Sequence, residues 1–271
     1  MALMHVNFFS DVLGLSMNMD VILPQETAGR AGAKTNGYGA LKTLYLLHGM
    51  SDDHTGWQRR TSIERYVAEL PLAVIMPTTH LGWYTDMKHG LHYWTFISKE
   101  LPDICRQFFP QLSRERGDTF AAGLSMGGYG ALKCGLLAPE TFSACASLSG
   151  AADMAGLTER AIAEDPDLSH ATPVFQNAFG PFESIKGSDN DLLAVAERLA
   201  DKTKRPRLYM WCGTEDFLIE PNHTMRDHLR ALGYDLTYEE GPGDHQWKYW
   251  DEKIQRVLQW LDIPAVPAVF R

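Results

Sequence analysis

The chain has 271 residues, of which 45% are hydrophobic, and a formal net charge of −9 at pH 7. This length can bury one large core, and the acidic balance argues against nucleic acid or an anionic membrane as a partner. No stretch predicts a membrane span, no signal peptide is visible, and the four cysteines are scattered without a Cys-x-x-Cys spacing. We therefore expect a cytoplasmic protein with free thiols.

Two strand-like runs open the chain. They are His5 to Ser10 and Leu15 to Leu23, and the second alternates apolar and polar residues with a period of two. We expect them to form an antiparallel edge ahead of a parallel sheet. The polar, glycine-rich stretch from Gln25 to Gly39 predicts a surface loop.

From Leu41 onward, short unbroken apolar runs alternate with helix-like stretches, which is typical of a mostly parallel sheet with helices on both faces. The predicted strands are Thr43–Leu47, Leu72–Met76, Thr119–Ala122, Ala144–Leu148, Leu208–Cys212 and Leu236–Glu239. The predicted helices are Ser62–Glu69, Phe96–Phe108, Tyr129–Leu137, Asp191–Thr203, His223–Leu232 and Tyr249–Leu261. Residues 1–271 are predicted to form one α/β domain, because a boundary within this pattern would divide the sheet.

Residues 151–190 break the alternation. The segment holds short apolar patches and three prolines, but no long periodic run. In such a sheet every strand-to-helix turn faces the edge where ligands bind. We expect residues 151–190 to form an insertion or lid over that edge.

The most informative motif is Gly123-Leu124-Ser125-Met126-Gly127, which lies between a predicted strand and a predicted helix. A chain that passes from strand to helix so abruptly holds its apex residue in strained geometry with the side chain exposed, and only small neighbours fit around it. A serine also needs a base beside it to become a nucleophile. The motif therefore predicts Ser125 as a nucleophile if an acid and a histidine follow at later strand ends.

Both partners follow in that order. Glu215 and Asp216 come just after one predicted strand, and His245 lies in a turn-rich loop after the next. We choose Asp216 as the acid and His245 as the general base, with Glu215 as the rival acid, because either carboxylate could orient a histidine. The alternative interpretation of Asp216 is a helix cap. The other nine histidines lack either the right place in this order or a position at the end of the right strand.

Two backbone amides are expected to bind the oxyanion that forms during attack on an ester. Met126 directly follows the serine at a helix start, where amides are free, and Met50 lies in the loop after the strand Thr43–Leu47. Gly49 is the second choice for that loop's amide, and an ordinary strand-end turn is the alternative interpretation of His48-Gly49.

Aromatic residues crowd the loops at the same edge. Trp57, Trp83 and Tyr84 follow strand ends and are predicted walls of an acyl or alcohol pocket, while half-buried packing is their alternative role. The rest of the expected substrate-binding set is Gly49, Phe217 and Trp247. The acidic and histidine residues of 52–54, and those at 86 and 89, match no ligand spacing, so we expect no metal and no cofactor. An acidic chain with an aromatic site entrance favours a neutral ester.

Four segments together resemble the esterase D family of α/β-hydrolases, most of all its bacterial tributyrin esterases. They are Leu46–Ser51, Gly123–Ala131, Gly213–Leu218 and Gly243–Trp250, and the likeness runs from Met4 to Trp260. The resemblance implies an α/β-hydrolase fold, no cofactor, and hydrolysis of short-chain acyl esters through an acyl-enzyme on Ser125. It also implies that Asp216 and His245 complete a triad.

The wider family includes S-formylglutathione hydrolases, feruloyl and acetyl-xylan esterases and mycolyltransferases. The chain departs from the first in lacking a convincing cationic glutathione pocket, and Asp52-Asp53-His54 replaces the small residues and Asn usual after Ser51. The alternatives to a carboxylesterase are an S-formylglutathione hydrolase-like thioesterase, an acyltransferase and a non-catalytic binding module. A small-molecule ester is the expected partner. The sequence does not decide between a monomer and a homo-oligomer.

Overall fold

The computed structural model describes residues 1–25, 39–164 and 172–265. Its strands form one eight-stranded sheet in the order β1-β2-β4-β3-β5-β6-β7-β8. Their bounds are β1 Ala2–Ser10, β2 Leu15–Leu23, β3 Lys42–Leu47, β4 Leu72–Pro77, β5 Thr119–Leu124, β6 Ala144–Leu148, β7 Arg207–Gly213 and β8 Leu236–Gly241. β1 pairs antiparallel with β2, and β2 with β4, whereas all the other pairs are parallel. This is the α/β-hydrolase sheet that the sequence predicted.

Helices cover both faces of this sheet. Their bounds are α1 Gly56–Arg60, α2 Ile63–Tyr66, α3 Tyr93–Thr95, α4 Leu101–Phe108, α5 Met126–Leu137, α6 Met154–Glu164, α7 Thr172–Phe179, α8 Leu192–Leu199, α9 Ile219–Ala231 and α10 Trp247–Trp260. A π-helical turn, Phe96–Glu100, joins α3 to α4. Among the helices of the described residues, none is both long enough and apolar enough to cross a bilayer.

The core has two layers because strand side chains alternate between faces. In β3, Tyr45 and Leu47 pack on the side of α4, α5, α8 and α9, while Leu44 and Leu46 pack with α1, α2 and α10. Both sets are buried, which explains why the parallel strands are unbroken apolar runs in the sequence.

One predicted helix is shorter in the structure. The sequence predicted a helix over 62–69, but the chain forms only the single turn α2 there, and it is preceded by α1, which was not predicted, and by an extended residue at Thr61. Tertiary contacts hold this arrangement. The Trp57 indole of α1 donates to the carbonyl of Leu47, and the carboxylate of Asp251 accepts from Ser62 N and Tyr66 Oη.

Two predicted segments extend beyond the described residues. The predicted loop from Gln25 to Gly39 lies almost wholly outside them, as do residues 165–171 of the expected insertion. The described parts of 151–190 contain α6 and α7, a helical content that the sequence did not indicate. α7 packs on the loop after β4, where Lys88 N and His89 N donate to the carbonyls of Ala178 and Asn177.

The strand register brings the ends of five strands to one edge. Leu47 is level with Gly123, Leu124 with Leu148, Leu148 with Trp211, and Gly213 with Gly241. The loops that follow β3, β5, β6, β7 and β8 therefore meet, and the predicted catalytic residues lie in three of them.

Candidate active site

Ser125 lies at the turn between β5 and α5 with φ 53° and ψ −118°. A non-glycine residue rarely adopts positive φ, because its Cβ crowds the backbone. The neighbouring glycines make the turn possible: a Cβ on Gly123 would lie 2.3 Å from Gly127 O, and one on Gly127 would lie 2.4 Å from Leu47 O. The serine amide donates to the carbonyl of Leu148, which fixes the turn to β6.

The structure brings Ser125, His245 and Asp216 together in the predicted order. His245 Nε2 lies 3.0 Å from Ser125 Oγ, and His245 Nδ1 lies 2.9 Å from Asp216 Oδ2 and 3.1 Å from Oδ1. The Asp216 carboxylate is buried and also accepts from Leu218 N at 2.9 Å. An acid that accepts from Nδ1 leaves Nε2 free to take the serine proton.

Glu215, the rival acid, lies elsewhere. Its side chain is exposed, and its carboxylate accepts from Gly243 N at 2.5 Å, a bond that lowers the pKa of the carboxyl group. Glu215 N donates to Gly243 O, and Thr214 N donates to Gly241 O. These bonds extend the β7–β8 pairing past the strand ends and join the loop of the acid to the loop of the histidine.

The loop after β3 approaches the serine closely. A Cβ on Gly49 would lie 3.6 Å from Ser125 Cβ and 2.6 Å from Leu124 Cδ1, so a larger residue there would displace the Leu124 side chain. Met50 follows with a largely exposed side chain. Met126 is the first residue of α5, where a backbone amide has no partner within the helix. The two predicted oxyanion amides thus lie on segments that flank the serine.

His48 is a functional candidate that the sequence reasoning missed, because it precedes the serine in the chain. It is buried, its Nδ1 lies 2.7 Å from Gly49 O, and its Nε2 accepts from Thr79 N at 3.0 Å. A carbonyl only accepts, so Nδ1 carries a proton, and Nε2 carries none because it accepts from the Thr79 amide, so the ring is neutral. Burial lowers the pKa of His48 to about 4, which keeps this tautomer at neutral pH.

Two of the predicted pocket walls have a different role in the structure. Trp57 and Tyr84 are fully buried, so neither presents a surface to a substrate. Their polar atoms hold the end of β3: the Trp57 indole donates to Leu47 O, and the Tyr84 hydroxyl donates to His48 O. Burial raises the pKa of that tyrosine. Sequence position showed that both lie at this edge, but not which way they face.

The remaining predicted substrate contacts differ in exposure. Trp83 is almost buried, at ring-centroid distances of 5.0 Å from Phe175 and 5.7 Å from Phe179 of α7. Trp247 is partly exposed and contacts the ring of Trp57. Phe217 is 72% exposed, and its ring centroid lies 4.6 Å from that of His245.

A buried lysine lies further along α5. Lys133 Nζ donates to Asn190 Oδ1 at 2.7 Å and to Thr85 Oγ1 at 3.0 Å, and among the described residues it forms no ion pair. Burial lowers the pKa of Lys133 to about 7. The only sequence signal for this group is a single charge within an apolar helix. It joins α5 to the loop after β4 and to the residues that precede α8.

The sheet, the strained serine and the three aligned side chains define a serine hydrolase of the α/β-hydrolase class. Comparisons with known proteins agree. The model of the esterase family matches residues 10–261. An acetyl esterase of Caldicellulosiruptor saccharolyticus is 33% identical over 264 residues, which cover 96% of this chain and 98% of that protein.

Two solved structures from Staphylococcus aureus are also similar. The fluorophosphonate-binding serine hydrolase FphF, with substrate bound, and the S-formylglutathione hydrolase FrmB are both 36% identical, with TM-scores of 0.83 and 0.80. Each comparison covers 96% of this chain and 98% of the other. The chain belongs to the esterase family, in the group that resembles esterase D and the S-formylglutathione hydrolases. It is an enzyme of the carboxylesterase type.

Proposed function

We propose that the chain hydrolyses neutral short-chain acyl esters, with Ser125, His245 and Asp216 as the catalytic triad. The distance of 3.0 Å between Ser125 Oγ and His245 Nε2, with Asp216 behind the imidazole, is the observation that carries this proposal. A base within hydrogen-bond reach of the hydroxyl can take its proton as the oxygen attacks.

The reaction has two halves. Ser125 Oγ bonds to the acyl carbon while its proton passes to His245 Nε2, and the resulting oxyanion is held by the amides of Met126 and Met50. The tetrahedral intermediate then expels the alcohol, which leaves with the proton from Nε2. In the second half a water gives a proton to Nε2, attacks the acyl carbon and releases the acid, and the serine regains its proton.

The transfer of a proton to His245 explains why a buried carboxylate lies beside the imidazole. The imidazole becomes cationic in each half of the reaction, and the Asp216 carboxylate stabilises that charge while holding the ring in the correct tautomer. Asp216 lies below the surface, where a charge interaction is stronger than in water.

Hydrolysis of 4-nitrophenyl acetate, propionate and butyrate by the wild type and Ser125→Ala tests the proposal. We expect the variant to lose at least about a thousandfold in kcat, since the nucleophile is gone. Wild-type turnover in Ser125→Ala would contradict the triad. The series of acyl chain lengths also measures the size of the acyl pocket, because each methylene that is buried contributes about 0.8 kcal/mol of binding free energy.

Thioester hydrolysis is the second candidate, favoured by the 36% identity to the S-formylglutathione hydrolase FrmB. Two of the residues next to the triad in sequence, Glu215 and Asp244, are acidic and suit an anionic glutathione moiety poorly. We therefore expect a lower kcat/KM for S-formylglutathione than for 4-nitrophenyl acetate. The opposite order would make the thioester the better substrate.

We also propose a cytoplasmic location. Cys105, Cys134, Cys145 and Cys212 are all buried free thiols, a state that a reducing compartment preserves. Fractionation of the source cells with an antibody to the chain would test this.

A further inference from the structure

Among the large apolar side chains of the described residues, that of Phe217 is the most exposed. Its backbone is nevertheless held in place by buried neighbours and hydrogen bonds. Asp216 and Leu218, its neighbours, are both buried, and the Asp216 carboxylate accepts from Leu218 N. Ile219 N donates to Asp216 O at 3.0 Å. The turn therefore projects one aromatic ring outward between two anchored residues. Leaving such a ring in water forgoes the stabilisation that burial would give, and this ring lies beside the candidate catalytic histidine.

The imidazole of His245 has two close aromatic neighbours. The ring centroid of Phe217 lies 4.6 Å from that of His245, and the ring centroid of Trp250 lies 4.8 Å from it. Trp250 is buried, and its indole donates to Ser149 Oγ. Of these two rings, only that of Phe217 is exposed to a ligand that arrives from solvent.

The chemistry places the leaving alcohol beside this imidazole. His245 Nε2 must come within hydrogen-bond reach of the alcohol oxygen to protonate it. The carbon attached to this oxygen therefore lies close to His245, and the exposed ring of Phe217 lies next to the same imidazole. The ring of Phe217 is thus an apolar surface within reach of an extended alcohol.

We propose that Phe217 is the platform for the leaving alcohol and that it selects esters of aryl and other extended apolar alcohols over esters of small ones. This inference rests on the proposed function. Edge-to-face and offset contacts between two aromatic rings contribute binding free energy in addition to that from the area they bury. This favours an aryl group on this platform.

The test varies only the alcohol. We would measure kcat/KM for 2-naphthyl, phenyl and ethyl acetate with the wild type, Phe217→Ala and Phe217→Leu. The acyl group is constant, and kcat/KM reports the steps up to release of the alcohol. For each protein we would take the ratio of kcat/KM for 2-naphthyl acetate to kcat/KM for ethyl acetate. Intrinsic differences in ester reactivity cancel when this ratio for a variant is divided by the same ratio for the wild type.

We expect this ratio to fall about tenfold in Phe217→Ala, which corresponds to about 1.4 kcal/mol, and less in Phe217→Leu. Phe9→Ala is the matched control, because Phe9 is 61% exposed on the edge strand β1. It should leave the ratio unchanged. The relative rates for 4-nitrophenyl acetate, propionate and butyrate should be the same in all variants.

Two results would overturn the proposal. An unchanged ratio would mean that the alcohol does not contact Phe217. An equal loss for all three acetates, with a shifted pH profile of kcat/KM, would mean that the ring only supports His245. Both results are distinct from failure of the proposed function, which would appear as hydrolysis that does not need Ser125.

Discussion

The two adjacent carboxylates at the end of β7 have separate tasks, although their sequence positions could not distinguish them. Asp216 is buried beneath His245, whereas Glu215 turns outward and accepts from Gly243 N. The first can stabilise a cationic imidazole, and the second can only hold the loop that carries it.

Exchanging each carboxylate for its amide separates these tasks. We expect Asp216→Asn to lower kcat on the order of 10⁴-fold, because an amide favours the wrong tautomer and adds no charge. Glu215→Gln should keep kcat within about tenfold, since its amide oxygen still accepts from Gly243 N. Steady-state kinetics with 4-nitrophenyl acetate measure both. Equal losses would contradict the assignment of the acid.

The neutral ring of His48 orients the peptide between Gly49 and Met50. In a trans peptide the carbonyl and the amide point in opposite directions, so the bond from Nδ1 to Gly49 O directs the Met50 amide away from His48. We expect His48→Gln to lower kcat about 10- to 100-fold with little change in KM, because the oxyanion forms only in the transition state.

His54→Gln is the control for that variant. His54 lies in the same loop, but its ring bonds to Thr78 Oγ1 and not to the peptide beside the serine. Its kcat should stay close to that of the wild type. If His48→Gln changed KM alone, the bond to Gly49 would have no part in holding the oxyanion.

At the scale of elements, the contact between α5 and the end of β3 depends on glycine. The Cβ of an alanine at 127 would lie 2.4 Å from Leu47 O and 2.6 Å from His48 O, both backbone atoms that cannot move freely. We expect Gly127→Ala to lower the free energy of unfolding by about 2–3 kcal/mol. Gly117→Ala is the control, because its Cβ would meet nothing within 4 Å. Urea unfolding measures both, and equal stability of the two variants would refute the close contact.

The sequence predicted the strands, and the proximity of Ser125, Asp216 and His245, because both follow from local patterns. Parallel strands must be apolar on both faces, and their ends must share one edge, so the order Ser125, Asp216, His245 could be read without coordinates. Orientation could not be read in this way. Trp57 and Tyr84 face inward because they bond to carbonyls of β3 and of the residue after it, and those contacts depend on packing between distant segments.

At the scale of the whole molecule, Lys133 is a positive charge placed where water does not reach. Its partners, Thr85 and Asn190, lie 48 and 57 residues away in sequence, which is why no pattern around α5 indicated the cluster. Thr85 Oγ1 also donates to Asn190 Oδ1 at 2.6 Å. Three separate segments of the fold therefore meet at one ammonium group.

This lysine gives the stability a pH dependence. Its pKa is about 7 in the folded chain and returns to about 10.4 on unfolding, so between these values the unfolded state holds the extra proton. Unfolding then takes up a proton, and the free energy of unfolding rises with pH. Below about pH 7 both states are protonated, and the full cost of the buried charge remains.

Lys133→Met removes this titration. We expect the free energy of unfolding of the wild type, measured relative to the variant, to increase from about pH 7 to about pH 9.5. Urea unfolding at both pH values gives the difference, and other titrating groups cancel because they are common to both proteins. Parallel pH profiles would show that the buried amine keeps its ordinary pKa.

The hydrogen-bonded pairing that joins the acid loop to the histidine loop also has a consequence for synthesis of the chain. Asp216 and His245 are 29 residues apart and lie in the loops that follow two adjacent strands, whereas His245 is 120 residues from Ser125. A nascent chain that ends before β8 already carries Ser125 and the loop after β3, but not His245. In the proposed mechanism Ser125 therefore has no base on the ribosome until β8 and the loop that follows it have emerged.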